Sequence, residues 1–550
     1  MLKRFMLFLA TFFVCTQINA QQIKKVVDSN QINRPRLVVG LVIDQMRWDY
    51  LYRYKHRFVR GGFNRLLKNG YSFENNFIPY TPAVTGAGHT AIYTGSVPAL
   101  HGIVGNDWVE RSDGALTYCT RDTTVKSVGG IGLQGQMSPK NLLATTIGDE
   151  LRLATNFRSK VYGVSLKDRG GILAAGRSGN ASYWFDDANG NMITSTWYMR
   201  TVPDWVNKFN ASRKVDSMMA TDWKLLHPKS SYTQSTADDV AHEKPLMFEK
   251  TVTFPHKYLN SDRKNYYDFR VSPYGNTYTL DFASALISAE KLGATGATDM
   301  LCISLSSTDY IGHRFGPNSL EIEDTYLRLD IDIENFLKSL DAKVGAGNYL
   351  LFLSSDHGAP PVPDYMKEKK MSAGHLNAYF GIKDSLNKIG LEKFGVSNIV
   401  RAVLEYQVFL DHAKIKQFKI QVKDVLTAMA DYLNAQSEVN IAFNYEDLAN
   451  TLLPAKVKEM LINGYFRKRS GDLHFILNPN FTDVGSTGTE HGTIYNYDTH
   501  IPMIWFGWQI TGGRSYRNTY MTDIAPTLAA MLKIQMPNAS VGNVMTEVIK

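Results

Sequence analysis

The chain has 550 residues, 44% of them hydrophobic, so it can bury a large core and hold more than one structural unit. Its formal net charge of +8 is spread thinly, and the densest basic group, Lys367–Lys370, fits a solvated loop better than a nucleic-acid groove. Three cysteines in 550 residues exclude a disulfide-rich scaffold. The composition therefore indicates a globular protein with no evident nucleic-acid partner.

The N-terminus has the pattern of a secretory signal peptide. Two basic residues precede an apolar run from Met6 to Cys15, and a small residue, Ala20, stands where cleavage is expected. We predict a signal peptide over residues 1–20 and an exported mature chain over 21–550. The periplasm is the favoured location, and secretion or a surface location are the alternatives. An uncleaved anchor is another alternative, but the apolar run is short for a membrane span, and no later run is long enough.

Two cysteines, Cys119 and Cys302, lie in the predicted mature chain. A bridge between them is one alternative. Cys302, however, falls inside an apolar strand pattern, where a free cysteine behaves as a small hydrophobic residue.

Short apolar runs alternate with helical patterns along the chain. Runs of this kind are typical of strands buried on both faces, and their alternation with helices predicts an α/β fold with a mostly parallel central sheet covered on both sides. The predicted strands are Arg36–Ile43, Lys160–Leu166, Asp299–Leu305, Asn348–Leu353 and Ile501–Trp508, and the main predicted helices are Trp48–Lys68, Leu142–Ala154, Ser319–Leu340 and Thr522–Leu532.

Two long stretches, at about 170–295 and about 360–480, interrupt this alternation. The first is rich in aromatic and small polar residues with weak periodicity, and the second contains predicted helices near Val422–Leu433 and Ala455–Leu461. We predict one catalytic domain over 21–550 with two inserted lid or rim subdomains at these positions.

One stretch, Thr81–Trp108, has the features of a nucleophile site. Thr85 stands among small residues just before a predicted helix from His89 to Tyr93. A hydroxyl at the start of a helix lies beside unpaired backbone N–H groups, where an anion can bind and a nucleophile can be steadied. The alternative is an ordinary N-cap threonine.

Six candidate metal ligands, all Asp or His, lie beyond predicted strand ends or in a later loop. In open α/β sheets, ligands bind beyond the carboxyl ends of the strands. Three Asp and three His divide into two sites of mixed nitrogen and oxygen ligation, which suits zinc with open positions for substrate. The six are Asp44, Asp309, His313, Asp356, His357 and His491.

Three further residues are candidates for binding a phosphoryl group. Lys167 and Arg169 follow the second predicted strand, and on an extended chain residues two apart point the same way. They would supply a positive charge and a forked donor to a phosphoryl dianion. Asn106 can donate a neutral hydrogen bond to a non-bridging oxygen.

Taken together, these motifs resemble the alkaline phosphatase superfamily, and most closely its bacterial phosphate-irrepressible alkaline phosphatases that use a threonine nucleophile. The resemblance spans nearly the whole predicted mature chain. The matching pieces are Ile43-Asp44, Thr85 with Gly88-His89-Thr90, Gly105-Asn106-Asp107-Trp108, Lys167-Asp168-Arg169, Asp309 with His313, Asp356-His357-Gly358 and Glu490-His491-Gly492.

The resemblance implies a phosphate monoester hydrolase with two Zn²⁺ ions that acts on varied small monoesters through a phosphothreonine at Thr85. It implies one zinc on Asp309, His313 and His491 and the other on Asp44, Asp356 and His357. The main rival is a nucleotide pyrophosphatase or phosphodiesterase of the same superfamily. A sulfatase lacks support because its nucleophile motif is absent, and a phosphate-binding protein without catalysis is the alternative from another class. The oligomeric state is left open.

Overall fold

Four of the predicted strands lie side by side and parallel at the centre of one large sheet. The structure is a computed structural model that describes residues 32–258, 266–376, 381–485 and 487–549. The predicted signal peptide lies outside the described residues. Arg36–Lys550 forms one compact unit. In the part of the chain that the structure describes, no helix is both long and apolar enough to cross a membrane.

Across the described residues, ten strands form the large sheet in the order β18-β2-β17-β10-β1-β9-β6-β7-β8-β5. The central strands β10, β1, β9, β6 and β7 are parallel, whereas β17 and β8 pair antiparallel with their neighbours. The predicted α/β fold with a parallel centre is confirmed, and the whole sheet is mixed. The ten strands are β1 (Leu37–Ile43), β2 (Tyr71–Phe77), β5 (Ser127–Val128), β6 (Val161–Ser165), β7 (Ala181–Asp186), β8 (Asn191–Ser195), β9 (Asp299–Leu305), β10 (Tyr349–Ser354), β17 (Met503–Gly507) and β18 (Gly513–Tyr520).

The remaining strands form smaller sheets. A four-stranded antiparallel sheet, in the order β12-β13-β15-β14, lies wholly within the stretch predicted as the second insertion. The smaller-sheet strands are β3 (Asp107–Val109), β4 (Leu116–Tyr118), β11 (Gly374–His375), β12 (Val400–Leu404), β13 (Gln407–Leu410), β14 (Val439–Asn444), β15 (Leu473–Leu477) and β16 (Phe481–Thr482).

Helices cover both faces of the large sheet. Alternate residues of β1 point into two separate hydrophobic cores, as expected of a strand that is buried on both sides. The helices are α1 (Tyr50–Arg53), α2 (Phe63–Asn69), α3 (Thr85–Thr94), α4 (Pro98–His101), α5 (Ile147–Ala154), α6 (Asp168–Ala175), α7 (Asp204–Ala211), α8 (Lys214–Met219), α9 (Tyr267–Arg270), α10 (Tyr274–Ala289), α11 (Ser307–Phe315), α12 (Leu320–Leu340), α13 (Pro363–Glu368), α14 (Lys383–Phe394), α15 (His412–Gln417), α16 (Val422–Asn434), α17 (Ala455–Gly464), α18 (Asn496–Thr499) and α19 (Ile524–Leu532).

The continuous helix predicted over Trp48–Lys68 is wrong. This segment contains α1, a short 3₁₀ turn and then α2. The carboxylate of Asp330, on α12, accepts hydrogen bonds from the backbone N–H groups of Val59 and Phe63, on either side of the break. A distant side chain therefore satisfies backbone donors that a continuous helix would have paired internally.

The two predicted insertions differ in kind. In the stretch at about 170–295, β7 and β8 extend the large sheet, and α10 packs in the core beneath it. This part of the chain therefore builds the core as well as the rim. In the stretch at about 360–480, the four-stranded sheet and helices such as α16 enclose a separate hydrophobic core.

Candidate active site

The carboxyl ends of four neighbouring strands bring the predicted site residues to one edge of the sheet. Asp44 follows β1, Lys167 follows β6, Asp309 lies in the first turn of α11 after β9, and Asp356 follows β10. His491 precedes β17, which runs antiparallel to β10, so it arrives at the same edge. Parallel packing thus gathers side chains that are hundreds of positions apart.

Thr85 is the first residue of α3, whose residues are all buried. The N-cap is Val84, which makes no side-chain cap hydrogen bond, so Thr85 is not an ordinary N-cap threonine. Its hydroxyl oxygen lies 3.3 Å from Nζ of Lys167 and 3.4 Å from Nε2 of His357. The small neighbour Gly88 lets α3 pack tightly, because a Cβ there would lie 2.5 Å from the carbonyl oxygen of Asp356.

The six predicted metal ligands form two groups of three. Within each group, one potential ligand atom of every residue lies within 4.8 Å of those of the other two. The groups are Asp309 with His313 and His491, and Asp44 with Asp356 and His357. The division is the one that the family resemblance implied, and the rings of His357 and His491 stack with centroids 3.6 Å apart.

The three histidines share one orientation. Nδ1 of His313 lies 2.9 Å from the carbonyl oxygen of Thr489, and Nδ1 of His357 lies 3.0 Å from that of Gly358. Nδ1 of His491 lies 2.8 Å from the carbonyl oxygen of Ala83. Because a carbonyl only accepts, Nδ1 donates in each ring, and Nε2 is the nitrogen that each ring turns toward its group of candidate metal ligands. Burial alone would lower the pKa of His313, but Asp309 and Glu490 raise it to about 10, so a metal ion at Nε2 of His313 would displace a proton.

Buried carboxylate oxygens supply a second observation that fits metal ions. Oδ1 of Asp44 is buried and accepts no hydrogen bond from the described residues, and the buried Oδ2 of Asp356 has the Nδ1 atom of His89 3.3 Å away. Leaving a buried carboxylate oxygen such as Oδ1 of Asp44 without a partner is costly, and a cation would compensate it. Burial first, and then the charge of Asp356, raises the pKa of Asp44 well above its usual range, so a nearby cation would favour its ionised form.

Lys167 carries the positive charge at the centre of the site. Its Nζ lies 2.8 Å from Oδ2 of Asp44 and 2.5 Å from Oδ2 of Asp309. Burial alone would lower the pKa of Lys167, but these two carboxylates raise it, so the side chain is charged. Burial lowers the pKa of both His357 and His491, so they are neutral, as metal ligands require.

Arg169 lies differently from the prediction. The two cations were expected on one extended segment, but this is wrong, because only Lys167 is extended and Arg169 belongs to α6. The Arg169 guanidinium donates to the hydroxyl of Tyr118 at 3.1 Å, and that hydroxyl donates to Asp168 at 2.9 Å. The buried Nε–H of Arg169 has no hydrogen-bond partner within the described ranges. This donor is therefore available to an anion.

Asn106 is fixed against the start of α3. Its Oδ1 accepts a hydrogen bond from the backbone N–H of Gly86 at 2.9 Å, one residue after Thr85. Its backbone carbonyl accepts from the N–H of Cys119 at 2.8 Å. With Oδ1 occupied, the amide hydrogens on Nδ2 remain for a ligand.

Sequence reasoning missed residues that hold these groups in place. Gln45 donates from Nε2 to Asp309 at 2.9 Å and from its backbone N–H to Asp356 at 3.2 Å. Its position directly after Asp44 was the signal that could have found it. Glu405 accepts the backbone N–H of Asn106 at 2.8 Å, and no local pattern marks it.

Two further histidines, His89 and His375, and the two cysteines of the predicted mature chain have structural positions. Nδ1 of His89 lies 3.0 Å from the carbonyl oxygen of Thr85 and 3.3 Å from Asp356, so it supports the site. His375 lies 3.2 Å from Asp364. Cys119 and Cys302 are buried free thiols, so the alternative of a bridge between them is wrong.

Comparison with known proteins places this geometry in a family. Residues 38–500 match the type I phosphodiesterase / nucleotide pyrophosphatase family. Alkaline phosphatase PhoV of Synechococcus elongatus is 46% identical over 98% of each chain. A Myroides odoratus protein named calcium-transporting ATPase is 47% identical over 96% of each chain.

Alkaline phosphatase PafA of Elizabethkingia meningoseptica is 46% identical over 95% of this chain and 96% of its own. The crystal structure of PafA superposes with a TM-score of 0.92, covering 95% of this chain and 100% of that chain. A second PafA structure, also at 0.92, is that of a variant with a threonine, an asparagine, a lysine and an arginine substituted. The chain therefore belongs to the type I phosphodiesterase / nucleotide pyrophosphatase family, within the alkaline phosphatase superfamily.

Proposed function

We propose that this chain is an exported alkaline phosphatase, a phosphate monoester hydrolase that holds two zinc ions and forms a covalent phosphothreonine at Thr85. One observation carries the proposal: the Thr85 hydroxyl lies at the N-terminus of a buried helix, 3.3 Å from a charged lysine that itself contacts a carboxylate of each group of candidate metal ligands. Export depends on the N-terminal sequence pattern alone.

The relatives support the proposal that this chain hydrolyses phosphate monoesters. Two proteins that are 46% identical over nearly the whole chain are named alkaline phosphatases. The four residue types substituted in the PafA variant are those of Thr85, Asn106, Lys167 and Arg169, and its lysine and arginine are likewise two positions apart.

The residues of this chain fit a displacement in two steps. In the first, Oγ1 of Thr85 gives up its proton to solvent and attacks phosphorus, the bond from phosphorus to the leaving oxygen breaks, and that oxygen takes up a proton from solvent. The charge of Lys167 favours the deprotonated hydroxyl, because an ammonium 3.3 Å away stabilises a developing alkoxide. In the second step, the oxygen of water attacks phosphorus and loses a proton, the bond to Oγ1 breaks, Oγ1 takes up a proton again, and inorganic phosphate leaves.

The metal ions would be held by the two groups of ligands. Asp309, His313 and His491 would hold one ion, and Asp44, Asp356 and His357 the other. When bound, the ions supply positive charge for the attacking and leaving oxygens of an in-line displacement. Mixed imidazole and carboxylate ligation favours zinc over magnesium.

Substrate charge separates this function from its rival, a nucleotide pyrophosphatase or phosphodiesterase. A phosphate monoester presents a dianion with three non-bridging oxygens, whereas a diester presents a monoanion with two. Lys167 beside Thr85, Arg169 with its spare Nε–H and Asn106 hydrogen-bonded to the residue after Thr85 would provide two cations and a neutral donor, which suits the dianion better.

The test is hydrolysis of a monoester, a diester and a sulfate ester that share one leaving group, with zinc supplied. ATP belongs in the panel because one relative is named a calcium-transporting ATPase. We expect the wild type to prefer the monoester, Thr85→Ala to lose nearly all turnover, and the matched variant Thr85→Ser to retain part of it.

Acid quenching during turnover should trap phosphate on the peptide that contains Thr85. A wild type that prefers the diester would favour the pyrophosphatase rival. Phosphate trapped on another residue would refute the role of Thr85.

A further inference from the structure

The four-stranded sheet of the second insertion sends one tight turn into the active site. Glu405 and Tyr406 join β12 to β13, and both have left-handed backbone angles, with φ of 49° and 64°. Two-residue turns with positive φ at both positions favour asparagine and glycine, because larger side chains are strained there. Strained residues beside an active site point to a role for their side chains.

Glu405 holds the loop that carries Asn106. Its Oε1 accepts the backbone N–H of Asn106 at 2.8 Å, and its carboxyl packs directly on Gly105. A Cβ at Gly105 would lie 1.9 Å from Oε2 of Glu405, so only glycine admits this contact. Asn106 is thus held at its backbone N–H by Glu405, at its carbonyl by Cys119 and at its Oδ1 by Gly86.

Tyr406 holds the loop that carries His491. Its hydroxyl donates to the backbone carbonyl of His491 at 3.3 Å. Its ring lies against Gly492, where a Cβ would be 3.3 Å from Cε2 of Tyr406. The ring also packs edge-on against Phe475 in the core of the second insertion. One turn therefore links that core to two loops of the active site.

We propose that Glu405 is a positioning residue of the phosphatase: by accepting the Asn106 N–H, it aligns the Asn106 amide to donate to a non-bridging oxygen of the phosphoryl group. This inference rests on the proposed function. It assigns the second insertion a part in catalysis, because the insertion supplies one of the contacts that orient a phosphate-binding side chain. A misplacement of about 1 Å in such a group is enough to slow a reaction roughly 100-fold.

Glutamine keeps the contact that the proposal requires. Burial raises the pKa of Glu405 to about 8, and a neutral carboxyl or an amide accepts the Asn106 N–H as a carboxylate does. Glycine removes the contact and also relieves the strain at positive φ. With Glu405→Gly, a loss of activity can therefore be distinguished from a loss of stability. Lys419→Gly is the matched control, because Lys419 is an exposed residue of the same insertion with φ of 55°.

The experiment measures monoester kcat and KM, zinc content and the melting temperature for these variants. For Glu405→Gly we expect wild-type zinc content, no fall in melting temperature and a loss of roughly 10- to 100-fold in kcat/KM, mainly in kcat. Glu405→Gln and Lys419→Gly should both stay near the wild type. In the Asn106→Ala background, adding Glu405→Gly should cause little further loss, because no amide remains to align.

Two results would overturn the inference: a Glu405→Gly enzyme as active as the wild type, or a full further loss when Asn106 is already alanine. Failure of the proposed function looks different. In that case the wild type itself would not hydrolyse the monoester, or Thr85→Ala would remain fully active.

Discussion

Among single residues, Arg169 gives the cleanest test of phosphate recognition. Lys167 also neutralises Asp44 and Asp309, so its removal disturbs the metal ligands, whereas Arg169 contacts Tyr118 and has a buried donor to spare. We expect Arg169→Ala to lower monoester kcat/KM by roughly 30- to 1000-fold, or about 2–4 kcal/mol, and diester kcat/KM far less.

The measurement compares a monoester and a diester with the same leaving group. The control is Arg517→Ala. Arg517 lies on the edge strand β18 and forms an ion pair with Glu547. An equal fall for both substrates would argue against selective binding of the dianion.

At the scale of elements, the contact between β6 and α6 sets the position of Arg169. Gly163 on β6 lies against the backbone of α6, and a Cβ at Gly163 would lie 2.3 Å from the carbonyl oxygen of Gly171. We expect Gly163→Ala to push the helix outward, to cost about 1–3 kcal/mol of stability and to lower monoester activity. Gly485→Ala is the control, since a Cβ there meets nothing within 4 Å. If both variants melt and react like the wild type, this packing contact does not control the site.

A second prediction at this scale concerns His256, which ties the 223–256 segment to α12. Its ring is buried between Glu249, at 2.9 Å, and Glu321 on α12, at 3.1 Å. Burial alone would lower the pKa of His256, but the two carboxylates raise it to about 9. Because the folded pKa is raised, the stabilisation is fully present below the unfolded pKa of about 6.5 and is lost as pH rises through about 9.

We therefore expect the wild type to lose up to about 3 kcal/mol of stability from this group between pH 6.5 and pH 9. His256→Gln keeps a polar side chain of similar size without the titrating proton, so its melting temperature should fall less over that range. If the melting temperatures of the wild type and of His256→Gln changed equally with pH, the charge of His256 would not stabilise the fold.

At the scale of the whole molecule, the proposed metal ions would join elements from both ends of the chain. The six proposed ligands extend from Asp44, after β1, to His491, before β17. A ligand that binds only the folded protein stabilises it by about 2.7 kcal/mol at 100 times its dissociation constant. A chelator should therefore abolish monoester hydrolysis and also lower the melting temperature.

Zinc should restore both activity and stability better than magnesium does. Elemental analysis of the chelated protein provides the control for residual metal. Full activity in protein shown to be free of metal would refute the metal assignment.

The sequence by itself determined the family, the parallel centre of the sheet and the choice of candidate residues. Apolar runs buried on both faces, such as β1 and β9, are local patterns, and polar residues directly beyond them, such as Asp44 and Asp309, mark the ligand-binding edge. The family and fold predictions are confirmed, and the structure gathers the six predicted ligands in the two expected groups.

Only the tertiary structure decided features that depend on contacts between distant parts of the chain. Asp330 breaks the helix predicted before Thr85, and the turn at Glu405 reaches Asn106 across about 300 positions. Neither position has a local pattern, because a carboxylate that accepts a remote backbone N–H looks the same in sequence as one in water. Periodicity reports which face of an element is buried, whereas the partner of a single polar group is set by how the elements pack.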